Sequence, residues 1–303
     1  SKIHFQDSAK LMAAILMLTG VIGCSKANFG TGQEPDTILV NPDNSVSESF
    51  KVTDAKPLTA VDILFVIDNS RSMREEQAKL SARLEKFVTV LGNIDWQIAM
   101  TTTDMSDDSF ATKGKLVDME TQTSFLGQNK KVLNRFSPNY KRSFADAINK
   151  YGTPQDCSDT GENCPSGYEQ PMKAIYQSIV KKNSDNRGFY RNNADLAVII
   201  ISDEDEESET EDPMTPELLS NFMTSQLGES KRMNVYGIIH RPGDQKCLDD
   251  DFEGARFGVE IDRLTRISDG FSVSICEPDY AKPLTQIGER VIQTNYSIKL
   301  NKK

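Results

Sequence analysis

The chain reads as an α/β protein built on a mostly parallel sheet with helices on both faces. Three observations predict this. Short apolar runs alternate with helical segments, the pattern of βαβ units. Two of the runs, at 61–67 and 196–201, are apolar almost throughout, as strands covered on both faces must be. The 303 residues, 37% of them hydrophobic, suit one large domain with appendages better than two full domains.

Taken in order, residues 1–24 have the make-up of an export signal. Lys2 and Lys10 precede an apolar run at 11–23 that is too short for a stable membrane anchor. The run ends Val21-Ile22-Gly23-Cys24, which resembles the lipobox of bacterial lipoproteins. That resemblance implies cleavage before Cys24 and its lipidation. An ordinary secretory signal is the alternative, and it leaves the compartment unchanged. Ser25 stands where such lipoproteins carry an aspartate when they stay in the inner membrane, so the resemblance leans towards the outer membrane. Residues 25–48, rich in Asn, Ser, Gly, Asp and Pro, read as a flexible tether, and residues 49–52 as a short edge strand.

The main pattern then predicts strands at 62–67, 96–102, 196–201, 234–240 and 271–275, with weaker candidates at 115–119 and 131–135. Helices are expected at 74–91, where Leu80, Leu84, Phe87, Val88 and Leu91 recur at helical spacing, and at 144–151, 169–182, 216–227, 259–268 and 281–293. Connections between parallel strands should be right-handed. Residues 296–300 suit a last edge strand, and the chain has no internal repeat.

Four cysteines besides Cys24 form an even set: Cys157, Cys164, Cys247 and Cys276. In an exported chain they predict disulfides. Three pairings are open; neighbour pairing, Cys157 with Cys164 and Cys247 with Cys276, is the expected one. No Cys-x-x-Cys spacing supports zinc instead, and the two histidines, His4 and His240, are too few for a multi-histidine site. His240, ending an apolar strand, reads as a core or rim residue.

Three stretches place oxygen donors at predicted strand or helix boundaries. Asp68-x-Ser70-x-Ser72 follows the first buried strand. Glu169 precedes an amphipathic helix. Asp203 follows Ile199-Ile200-Ile201-Ser202, the most apolar strand. Ligands of open α/β sheets bind at the carboxyl ends of strands. Carboxylates and hydroxyls grouped there suit a hard cation: Mg²⁺ first, with Ca²⁺ or Mn²⁺ as alternatives. The bland readings are a helix cap for the Asp-Ser-Ser triplet and a first-turn acid for Glu169. The buried strand ahead of the triplet favours metal there, whereas for Glu169 the two readings balance.

With these residues in place, the segment 49–303 resembles a von Willebrand factor type A (vWA) domain of the bacterial lipoprotein kind. The resemblance implies a Rossmann-like doubly wound fold. It also implies a metal-ion-dependent adhesion site at Asp68, Ser70, Ser72, Glu169 and Asp203, used for protein–protein interaction or adhesion rather than catalysis. Glu169 departs from the threonine usual in that family. Bound directly, it would bring three carboxylates to one +2 ion and make an acidic donor from a partner redundant.

The run from Asp203 to Asp212 is read as a solvated acidic loop, with a weak Ca²⁺ site or a negative rim as the sharper alternative. Asp104, Asp107 and Asp108 are expected near the same rim. The insertion 152–166 and the irregular stretch 243–258 are expected to shape the metal face. A net charge of −10 argues against nucleic acid as a partner. The partners implied are a protein of unknown identity and, through Cys24, a membrane. An aspartate-nucleophile phosphatase is the enzyme alternative, but Ser70 stands where a second aspartate is needed. Serine hydrolysis lacks its Gly-x-Ser-x-Gly motif. A structural subunit of an envelope assembly, its cation purely structural, shares every feature with the adhesion reading.

Overall fold

The computed structural model describes residues 37–40, 46–49, 60–119, 131–158, 161–208, 212–250 and 255–296. The chain divides into two compact units, Lys56–Ser297 and a smaller one joining Ser1–Ala55 to Ile298–Lys303. In the smaller unit, β1 (Thr37–Val40) pairs antiparallel with β2 (Val46–Ser49). Part of the segment read as a tether is therefore a paired ribbon. The expected signal segment with Cys24, and residues 50–52 and 297–300, lie outside the described residues.

The larger unit follows the predicted alternation. Its elements are β3 (Ala60–Ile67), α1 (Arg74–Leu91), β4 (Asp95–Thr102), β5 (Leu133–Asn134), α2 (Tyr140–Tyr151), α3 (Pro171–Val180) and β6 (Asp195–Ile201). There follow α4 (Pro216–Leu227), β7 (Met233–Ile239), α5 (Gln245–Asp249), α6 (Val259–Ile267), β8 (Phe271–Ser274) and α7 (Ala281–Tyr296). The six-stranded sheet has the order β5-β4-β3-β6-β7-β8, parallel throughout except for β5 at one edge. This is a doubly wound α/β fold. No helix among the described residues is long and apolar enough to cross a membrane.

Local chemistry explains the ends. Proline opens α3 and α4, where its missing N–H costs nothing, and Thr215 caps α4 by accepting from Leu218 N at 3.3 Å. Gly92 terminates α1 at φ 57°, a left-handed value favouring a residue without Cβ. β3 and β6 are buried along their whole lengths. Asp62 survives inside β3 because its carboxylate accepts from Gln97 Nε2 (2.9 Å), Arg191 Nε (2.7 Å) and Arg191 N (2.7 Å). A buried charge so fully partnered does not bear its full desolvation cost.

The differences from expectation are local. Residues 115–119 form no strand, although Val117 N donates to Met100 O at 2.9 Å alongside β4. The helix expected at 144–151 begins at Tyr140, that expected at 169–182 begins at Pro171, and α7 runs on to Tyr296. The stretch 243–258 holds the short helix α5. Both disulfides pair neighbours, Cys157–Cys164 and Cys247–Cys276.

Candidate metal centre

The strand order reverses between β3 and β6: one leads outward to β4 and β5, the other to β7 and β8. Their connections leave in opposite directions, which opens a crevice beyond their carboxyl ends. Sheet-like bonding continues a residue past each strand. Asp68 N donates to Ile201 O (2.9 Å), Thr103 N to Ile67 O (3.2 Å) and Ser202 N to Ile238 O (3.2 Å). The side chains that follow are therefore held on a rigid rim.

Asp68 is fully buried there, and both its oxygens are engaged. Oδ1 accepts from Ser70 N (2.8 Å), and Oδ2 accepts from the Ser202 hydroxyl (2.7 Å). The Ser70 and Ser72 hydroxyls share a 3.0 Å hydrogen bond, with Ser70 buried and Ser72 exposed at the mouth. Asp203 is buried one residue beyond Ser202, at the end of the neighbouring strand β6. Glu169 reaches the cluster from ahead of α3. Its backbone bridges to Asp104, and its Oε2 accepts from the Thr103 hydroxyl. The five residues singled out in the sequence thus meet at one crevice.

They do not meet equally closely. Among the described residues, the group of His, Cys, Asp and Glu side chains whose ligand atoms all lie within 4.8 Å of one another is His240, Cys247 and Cys276. The three carboxylates do not reach that spacing.

The electrostatics are those of acids crowded into a buried site, where the protonated forms are favoured. Burial is the main force raising the Asp68 carboxyl above its ordinary range. Burial, and next the Asp68 charge, push Asp203 up to about 9 and Glu169 well above its usual value. Two buried oxygens, Glu169 Oε1 and Asp203 Oδ1, have no hydrogen-bond partner. A buried acceptor left in that condition costs about 1–3 kcal/mol. These residues fit a hard divalent cation on two counts. The donors are all oxygen, and two acceptors lack the positive charge that would satisfy them.

Several supports escaped the sequence reading. Ser202 and Thr103 each donate a hydroxyl to a cluster carboxylate. Gln77 on α1 donates to Asp68 O at 2.7 Å and accepts from Thr153 N at 3.0 Å, and the Thr153 hydroxyl donates to Asn69 O (3.2 Å) and to Ser70 O. Arg74 donates to Pro154 O (3.2 Å) and Cys157 O (3.0 Å). The disulfide-pinned insertion therefore braces the Asp-Ser-Ser loop, as its position suggested. The only sequence signal for these partners was their place at strand or helix ends.

The acidic run is corrected by the structure. Residues 204–208 are half-buried rather than solvated. Glu206 Oε2 accepts from Met172 N (2.6 Å) at the start of α3, and Asp205 accepts from Glu260 N (2.9 Å) and Ile261 N (3.1 Å) at the start of α6. Glu207 N donates to Glu169 O at 2.7 Å, while its side chain pairs with Arg256 at 3.3 Å. Carboxylates at helix N-termini satisfy orphan donors and complement the dipole. Glu209 and Glu211 lie outside the described residues. Nearby, Asp104 is buried and accepts from Ser106 N (2.8 Å) and Ser166 N (3.3 Å). Asp108 caps Phe110 N at 2.8 Å, and Asp107 pairs with Lys113.

No family model matches the chain, and no curated protein matches it. Among solved structures it is similar to proximal thread matrix protein 1 from the mussel byssus. One crystal form is 13% identical with a TM-score of 0.41, covering 77% of this chain and 47% of that one. A second structure of that protein is 15% identical with a TM-score of 0.39, covering 78% of this chain and 46% of that one. The chain thus spans about half the length of the structures it matches.

Proposed function

We propose that this chain is a vWA-type, lipid-anchored protein of the cell envelope, probing its surroundings through a divalent cation held at Asp68, Ser70, Ser72, Glu169 and Asp203. Mg²⁺ is the leading ion because every donor is a hard oxygen. The role is to bind a protein partner rather than to catalyse a reaction. One observation carries the reading. Asp68 and Asp203, both buried, follow the two neighbouring strands between which the strand order reverses, and two buried acid oxygens of the set, Glu169 Oε1 and Asp203 Oδ1, have no hydrogen-bond partner.

When bound, the cation supplies a positive centre with an open coordination position for a partner's oxygen. Ser70 and Ser72 offer neutral donors, Asp203 a free carboxylate oxygen, and Asp68 a carboxylate already oriented by Ser70 N and Ser202. Glu169, tied to Thr103 through Oε2, offers Oε1. Two disulfides support an oxidising compartment, consistent with export. The lipid anchor at Cys24, and the outer membrane as its address, rest on the sequence resemblance alone.

The experiment is a pull-down from envelope extracts with the exported domain, with and without chelator, beside Asp68→Ala. A partner captured only with Mg²⁺ and lost in the variant is the expected result. A partner retained in both conditions would favour the alternative, a structural subunit whose cation merely holds loops together. Phosphatase activity present in the wild type and absent from Asp68→Ala would overturn the binding role.

A further inference from the structure

A cluster of nitrogen and sulfur side chains gathers at the β7–β8 end of the sheet, apart from the oxygen donors that follow β3 and β6. His240 follows β7, and Cys276 lies two residues past the end of β8, the neighbouring strand. Ile275 N donates to Ile239 O at 2.9 Å, so the two strand ends are locked together. Cys247 is the third residue of α5, whose first turn is fixed by Asp244 Oδ1 accepting from Cys247 N at 3.3 Å. The three ligand atoms all lie within 4.8 Å of one another, although the sulfurs are joined as a disulfide.

We infer that reduction of Cys247–Cys276 converts this corner into a binding site for a thiophilic cation of the Zn²⁺ type, with His240, Cys247 and Cys276 as ligands. Two thiolates and an imidazole are soft to borderline donors, which zinc accepts and magnesium does not. Zinc holds such ligands about 3.5–3.8 Å apart, so closing on the ion needs side-chain movement on the order of 1 Å. The backbone supports are already in place. Cα atoms of the two cysteines stand 5.6 Å apart, Gly258 N donates to His240 O at 2.9 Å, and the Ser274 hydroxyl donates to Cys247 Sγ at 3.3 Å. That last bond is of the kind that orients a metal ligand from behind. Cys247 and His240 are buried, whereas Cys276 is exposed and provides the way in.

The chemistry balances with a dithiol as reductant. One thiolate of the dithiol attacks the exposed Cys276 sulfur and the Cys276–Cys247 bond breaks. The second thiol then closes the reductant's own disulfide. Two electrons and two protons have passed to the protein as two thiols. Zn²⁺ takes both as thiolates, releasing two protons, and adds a ring nitrogen of neutral His240. Solvent fills the fourth position on the Cys276 side. The chain would then hold a hard-cation site at β3 and β6 and a redox-gated soft-cation site at β7 and β8.

Co²⁺ titration of the full chain tests this, because sulfur-to-cobalt charge transfer reports thiolate ligation directly. The dithiol-reduced chain should take up one Co²⁺ with that band, the oxidised chain none, and Zn²⁺ should displace it. Cys276→Ser should abolish the band and His240→Ala should weaken binding at least tenfold. Cys24→Ser, Asp68→Ala and the Cys157→Ser/Cys164→Ser pair should all retain it. A reduced chain without the band overturns the inference, as does a band that survives Cys276→Ser or disappears with the Cys157→Ser/Cys164→Ser pair. Loss of the native circular dichroism on reduction also overturns it, since the ligands would then disperse.

Discussion

The Ser202 hydroxyl donates a 2.7 Å hydrogen bond to Asp68 Oδ2, joining the ends of β3 and β6 across 134 positions of sequence. Both residues are fully buried. Ser202 thereby aims the first carboxylate of the cluster without itself standing among the expected ligands. Ser202→Ala should leave Asp68 short of a donor and cost about 1–3 kcal/mol. It should also weaken Mg²⁺ binding about tenfold, as lost outer hydrogen bonds to ligands do. Denaturant unfolding and calorimetric Mg²⁺ titration measure the two effects. Unchanged values of both would show that the contact orients nothing.

Proton linkage gives the cation-free chain a pH dependence of definite sign. Asp203 rises from its ordinary 3.8 to about 9 and Glu204 from 4.5 to about 7, in each case chiefly through burial. Below the ordinary values both states hold these protons and the stabilisation is fully present. Between the ordinary and the raised values the folded chain still holds protons that the unfolded chain has lost, so stability falls as pH rises. The melting temperature without metal should therefore decline from about pH 5 to pH 9. Saturating Mg²⁺, which replaces those protons, should flatten the decline, and Asp203→Asn should remove much of it. A melting temperature that climbs over this range without metal would refute the assignment.

Glu169→Thr removes the third carboxylate and leaves a neutral donor. Mg²⁺ affinity should drop about tenfold or more. An acidic peptide should bind the Mg²⁺-loaded variant more tightly than the wild type, because one repulsive charge has gone. Parallel titrations decide it. Equal metal affinity, with the acidic peptide preferring the wild type, would show that Glu169 neither holds the cation nor limits the partner.

Asp205 tests whether the acidic run is a clamp. Asp205→Ala should cost about 1 kcal/mol, the worth of a helix cap. Mg²⁺ affinity should stay near wild type, because Asp205 faces α6 rather than the crevice donors. Thermal unfolding reads the first and calorimetry the second. A variant as stable as the wild type would return the segment to a solvated loop.

Much of this molecule was legible from sequence because the relevant signals are local. Continuous apolar runs and period-3.6 apolar patterns reside in contiguous residues, so β3, β6, α1 and α4 match expectation to within two residues. The short edge strand β5 pairs through two residues and carries too little pattern to be bounded. The acidic run was misread for a related reason. Charge density along the chain is visible, but whether a carboxylate meets water or a helix N-terminus depends on what folds against it. Glu206 meets Met172 N, 34 positions away, and Asp205 meets Glu260 N, 55 positions away.

By itself, then, the sequence determined the α/β alternation, the identity of the oxygen donors and their places at strand ends, since backbone periodicity and residue chemistry are properties of neighbours. Only the tertiary structure decided the strand order that puts Asp68 and Asp203 at the ends of neighbouring strands, the hydroxyls of Ser202 and Thr103 that hold the carboxylates, and the pairing of the cysteines. Apart from the Cys157–Cys164 bridge, which spans seven residues, each of these joins parts of the chain tens of residues apart and is set by which strands and helices bury one another.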